Sequence, residues 1–168
     1  MRRLAAMLST LLTLAAPAVA AGYARPAWPS PAPAVERSKD CIGHATGHYD
    51  EGRNALVFCG VRDDFVLAHE AGHAFDHLHL DAGERNRFAS LMGRAGEPWR
   101  RYETAAATLA DGTAVMHSDR NSLHEWFADA YAACRLRLDP ERHWTSSTDY
   151  QPGRRKHRRV CGFIARAV

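Results

Sequence analysis

Between Asp63 and Leu80 the residues Phe65, Ala68, Gly72, Phe75 and Leu78 recur at three- and four-residue spacing, the period of one helix face. Asp63 or Asp64 can cap the first free N–H groups, and the pattern ends near Leu80, before Gly83. A second helix is expected from Glu84 to about Arg94, stopped by Gly96 and Pro98. Arg101 to Leu109 is also helix-compatible, and Asp111-Gly112 is a turn pair. The last helix expected runs from Ser122 to Leu138, where Pro140 stops it. Upstream, His48-Tyr49-Asp50 and Ala55-Leu56-Val57-Phe58-Cys59 flank Gly52 and Asn54, which predicts a β-hairpin.

The chain ends change the picture. Arg2 and Arg3 precede an apolar stretch, Leu4 to Val19, closed by Ala18-Val19-Ala20. This is the layout of an export signal cleaved after Ala20, and the run is short for a membrane span. Residues 21–40 carry Pro26, Pro29, Pro31 and Pro33, so an extended leader is expected there and a folded domain over 41–168. Losing Arg2 and Arg3 takes the formal charge from +3 to +1. A near-neutral mature chain gives no global argument for nucleic acid, and after signal cleavage none for a membrane. All four cysteines, Cys41, Cys59, Cys134 and Cys161, lie beyond the signal, and an even count in an exported chain points to disulfides. Three connectivities are possible. Cys41–Cys59 and Cys134–Cys161 close local loops and are the favoured set, each stabilising by roughly 3 kcal/mol on a chain-entropy estimate. No CxxC spacing supports a cysteine metal site.

The chemistry concentrates in His69-Glu70-Ala71-Gly72-His73. On a helix, i and i+4 place both imidazoles on one face, where they suit one tetrahedral Zn2+ ion. Glu70 follows the first ligand and can take a proton from water activated at the ion. Gly72 permits close backbone approach, expected here against the sheet. A catalytic zinc needs a third protein ligand. Glu125 is the favoured candidate, with Asp129 one turn on to accept the free N–H of a ligating histidine. The rival is His79, which would give a metzincin-type HExxHxxDxxH set with Met116 in a Met-turn. A helix continuing through Asp76 would carry His79 too far from His69 for shared coordination.

His69-Glu70-Ala71-Gly72-His73-Ala74-Phe75-Asp76 followed by Glu125-Trp126-Phe127-Ala128-Asp129-Ala130-Tyr131 resembles the lethal-factor-like zinc metallopeptidases, a group that includes the secreted Pro-Pro endopeptidases. The likeness covers roughly residues 46 to 138. It implies zinc on His69, His73 and Glu125, Glu70 as base, supporting roles for Asp76 and Asp129, and an edge strand that binds substrate by β-augmentation. Those relatives carry a tyrosine about seven residues before the glutamate ligand, where this chain has Ser118; His117, next to it, is the substitute candidate for the oxyanion, with Tyr102 and Tyr49 as other possible donors.

The expected fold is α+β and zincin-like: a small antiparallel sheet packed on the metal-binding helix, with a mainly helical C-terminal part. The expected function is a secreted zinc endopeptidase acting on peptide or protein substrates, against a non-catalytic binding module that keeps the metal as a staple. Arg154-Arg155-Lys156-His157-Arg158-Arg159 is a basic run, read as a solvated segment anchored by Cys161 that could alternatively hold an acidic polymer.

Overall fold

The structure, a computed structural model, describes residues 25–38, 46–59, 63–100, 104–108, 114–117, 120–140 and 150–167, the strands 104–108 and 114–117 as backbone. The expected signal over 1–20 lies outside the described residues. Among those described, no helix is long and apolar enough to cross a membrane.

The molecule is α+β. A three-stranded sheet has the order β1-β3-β2, from β1 (Ala34–Ser38), β2 (Gly47–Asp50) and β3 (Ala55–Cys59). The expected hairpin is present, Tyr49 opposite Leu56 and His48 opposite Val57. Asn54 takes a positive φ of 47° in its turn, a conformation asparagine tolerates better than most residues. The sheet is mixed rather than antiparallel, because β1 pairs parallel to β3, Ala34 opposite Ala55. Residues 34–38, expected within an extended leader, thus form a sheet strand. The prolines that would break a ladder end at Pro33, and from Ala34 onward each residue has an N–H to donate. β3 is therefore central, and Ala55, Leu56, Val57 and Phe58 are buried as one apolar run, the composition of a strand covered on both faces.

Helix α1 (Asp64–His79) begins where Asp63 accepts from Phe65 N–H at 2.6 Å and continues without a break through Asp76. α2 (Ala82–Met92) starts with a reciprocal capping box of Asp81 and Glu84 and ends at Gly93, φ 79°. Residues 104–108, read as helix-compatible, are instead strand β4 (Thr104–Thr108), antiparallel to β5 (Ala114–His117). Three alanines favour a helix locally, but pairing with β5 overrides propensity. α3 (Leu123–Leu136) is capped by Ser122, whose Oγ accepts from Glu125 N–H at 3.2 Å. α4 (Gly153–Ile164) was not expected; it buries His157, Val160, Cys161 and Ile164, the i, i+3, i+4, i+7 stripe of an amphipathic helix.

α1 and α3 pack against each other, with the Phe75 ring 5.2 Å from that of Tyr131 and 6.2 Å from that of Phe127. Phe88 of α2 meets Phe127 edge-on at 5.2 Å. Cys134 of α3 is bonded to Cys161 of α4, as expected. Cys59 is also disulfide-bonded; Cys41, its expected partner, lies outside the described residues. The N-terminal segment is sewn to α3: Tyr131 Oη donates to the Ala27 carbonyl at 2.6 Å and Arg135 to the Pro26 carbonyl at 2.7 Å.

Gly72 sits at the α1–α3 crossing, not at the sheet. A Cβ there would lie 2.8 Å from Ala128 Cα and 3.0 Å from the Ala128 carbonyl oxygen. Both are backbone atoms that cannot step aside. Gly72→Ala gains about 1 kcal/mol of helix propensity but must push the helices apart. The net expectation is a loss of about 1–3 kcal/mol in urea unfolding. A variant as stable as the parent would show that the crossing is looser than this.

Candidate metal site

The α1–α3 contact brings two helix faces together. His69 and His73 project from α1, and Glu125 and Asp129 from α3. His69 Nε2 and His73 Nε2 are 3.1 Å apart; Glu125 Oε2 is 3.3 Å from the first and Oε1 is 3.6 Å from the second. His69, His73 and Glu125 could hold a metal ion. Ligands about 2.0–2.1 Å from one tetrahedral ion are about 3.3–3.4 Å from one another, close to the spacing here. All three residues are largely withdrawn from solvent.

Asp129 orients the first imidazole. Its Oδ1 accepts from His69 Nδ1 at 2.8 Å, which leaves Nε2 to face the group. Burial disfavours a charged His69, but the hydrogen bonds to Asp129 and Glu125 outweigh it and hold its pKa well above the ordinary value. A metal must displace that proton, so its affinity falls with falling pH. His73 moves the other way: burial first, then the charge of His124, push it well below the ordinary value and favour the neutral imidazole a ligand needs.

Glu70 is buried beside them. Burial raises its pKa to about 7, the charge of His69 opposes this, and Glu125 reinforces it. The backbone N–H of Tyr49 in β2 bonds to its carboxylate, so the sheet edge touches the site. Gly47 keeps that edge close: a Cβ there would lie 3.2 Å from Val66 Cγ1 and 3.4 Å from Glu70 Cγ.

Asp76, expected only as a supporting residue, is fully buried and ties three elements together. It accepts from Arg85 Nε of α2 at 2.7 Å, from Trp99 Nε1 at 2.9 Å, and from His124 Nδ1 of α3 at 2.8 Å. The His124 ring in turn stacks on His73, centroids 4.2 Å apart. Sequence reasoning does not find Arg85, Trp99 or His124. Only His124 leaves a trace there, as the neighbour of Glu125.

His79 does not join the group. It closes an unbroken α1, and its Nε2 accepts from the Ser30 N–H at 3.1 Å. Met116 and His117 are in β5, which excludes a turn at Met116; the side chain of His117, like Tyr102 and Ser118, lies outside the described part. A second trio, Cys134, His157 and Cys161, could also hold a metal by distance, but its two sulfurs are bonded to each other.

No family model, curated protein or solved structure matches the chain. Donor geometry therefore carries the chemistry.

Asp76 also sets an acid limit. Burial alone would raise its pKa, but the His124, Trp99 and Arg85 hydrogen bonds lower it to about 2, against an ordinary value of 3.8. A folded value below the unfolded one means stability that is complete above the unfolded value and lost as pH falls through the folded one. Between these values the parent should lose on the order of 2 kcal/mol from this group alone. Asp76→Asn should be less stable at neutral pH and flatter between pH 4 and 2 in chemical denaturation. Parallel acid limbs for the two proteins would refute the assignment.

Proposed function

We propose that the chain is an exported zinc-dependent endopeptidase. One observation carries this: two imidazole nitrogens and a carboxylate converge at the edge lengths of a tetrahedral site, with a second, buried carboxylate alongside. His69, His73 and Glu125 are the ligands and Asp129 fixes the tautomer of His69. The mixed donor set of two nitrogens and one oxygen suits zinc, with a position left for water or substrate. When bound, zinc supplies a Lewis acid that polarises a peptide carbonyl and lowers the pKa of water to about 7.

The protein's own groups do the rest. Glu70 accepts the proton of the attacking water and returns it to the leaving amine. A value near 7 suits both transfers, since a much stronger acid would be too weak a base to take the proton from water and a much weaker one would not release it to the amine. Asp76, through His124, braces the His73 ring by stacking. β2 is an edge strand of its sheet, and α1 packs on it. A substrate segment lying along that edge would place its backbone beside Glu70, in zincin-like fashion. The disulfides accord with an exported chain.

Glu70→Gln should keep about one zinc per chain by metal analysis while cleavage of a peptide library falls by about 10²–10⁴-fold. Undiminished cleavage would end the base assignment, and no chelator-sensitive cleavage by the parent would leave a non-catalytic metal module. Glu125→Ala should lose zinc outright, Asp129→Ala should weaken it about 10–100-fold, and His79→Ala should leave it unchanged. Parent-like zinc affinity in Glu125→Ala would overturn the ligand set.

A further inference from the structure

The basic run of the sequence is not absorbed by the metal site. Apart from the buried His157 it lies on the outer side of α4, and its Arg158 and Arg159 border, with α2, a cleft of about 370 Å³. Four arginines line the cleft: Arg87 from α2, and Arg158, Arg159 and Arg166 from α4 and its C-terminal end. All four are exposed, and among the described residues none of them forms an ion pair. The one carboxylate in the lining, Glu84, accepts from the Asp81 N–H at 3.0 Å in the α2 capping box. Neither α2 nor α4 contributes to the His69, His73 and Glu125 group.

Four guanidinium groups around one small cleft repel one another weakly through water, and an anion that joins them turns that repulsion into attraction. α4 adds to this. Its N-terminus has no side-chain cap and no acidic residue in its first turn, which instead carries Arg154, Arg155 and Lys156. The positive end of a helix normally attracts carboxylates; here Arg154 reaches Asp139 at 2.9 Å, and Arg155 and Lys156 add further positive charge to that end. The middle of the helix is also shaped for an occupant. Gly162 lies one turn from both Arg158 and Arg166, and a Cβ there would stand 3.4 Å from the Arg166 guanidinium. Glycine inside a helix costs about 1 kcal/mol relative to alanine, and here it keeps the cleft floor open between the arginines.

Guanidinium forks match pairs of oxygens on carboxylate, phosphate and sulfate alike, and several such forks select a ligand with several anionic groups. The apolar lining does not reach solvent as a platform. Phe163 is buried, and among the described residues Val35 is the exposed large hydrophobic side chain. A nucleic-acid strand would want aromatic faces for its bases, and a lipid surface would want an apolar wedge. We propose that the α2–α4 cleft is a binding site for a sulfated polysaccharide chain, held by Arg87, Arg158, Arg159 and Arg166.

The test uses the full exported chain and a heparin-derived octasaccharide in calorimetric titration at several salt concentrations. The parent should bind with affinity that falls steeply as salt rises. Arg158→Ala with Arg159→Ala should weaken binding at least about tenfold and make the salt slope shallower. Arg87→Glu should do the same from the other helix. Gly162→Leu keeps every charge and raises helix propensity, so it should fold and yet bind poorly because its side chain enters the cleft. Arg155→Ala, outside the lining, should change affinity less than about twofold. Unaltered binding by Gly162→Leu, or an equal loss from Arg155→Ala, would show diffuse charge attraction and overturn the cleft. An oligothymidylate of equal charge binding as tightly as the octasaccharide would overturn the assignment to a glycan.

Discussion

The close crossing of α1 over α3 is the contact on which the rest of the molecule depends. Each helix alone carries donors on one face, and neither face can complete a site. Gly72 on one helix and Ala128 on the other bring the backbones near enough for a carboxylate of α3 to stand about one tetrahedral edge from two imidazoles of α1. A larger residue at Gly72 would press on the Ala128 backbone and on Tyr131, and so push the two donor faces apart. The aromatic contacts of Phe75 with Tyr131 and Phe127 hold the same crossing from the side facing the core.

Around this crossing the polar groups are arranged so that burial and hydrogen bonding oppose each other residue by residue. Burial raises Glu70 to about 7, while three donors lower Asp76 to about 2. Two carboxylates on one helix thus take opposite states near neutrality, one able to exchange a proton and one fixed as an anion. The fixed anion anchors Arg85, Trp99 and His124, and so joins α2, the segment after it and the start of α3 to α1. Asp129 plays the matching role on the α3 side by holding His69. Both histidines of the group are braced from behind, one by a hydrogen bond and the other by a stacked ring.

Elements governed by local rules are legible in the amino-acid pattern alone. The hairpin follows from Gly52 and Asn54 between two strand-forming runs, and α1 from its cap and its period. α4 carries a signal of the same kind, since His157, Val160, Cys161 and Ile164 already have helical spacing, but a run of arginines masks that stripe. β1 and β4 are different. Nothing around Ala34 indicates that it will pair with Ala55, and three consecutive alanines in Thr104–Thr108 favour a helix until a partner strand is supplied. Pairing, with a distant strand for β1 and with the next strand for β4, is a property of the assembled sheet, and local propensity does not encode it.

By itself, the sequence determined which donors exist and how they are spaced within one helix. The helical period turns four-residue spacing into a shared face wherever the helix sits, so His69 with His73 and Glu125 with Asp129 were already pairs. Tertiary structure decided which faces meet. It set Gly72 against α3 instead of the sheet, sent His79 to the Ser30 amide, and surrounded Asp76 with partners from three elements. It also folded the basic run over α2 to close a cleft. The reason is physical: close packing between distant segments depends on the shape of both surfaces at once, and a linear pattern describes one surface at a time.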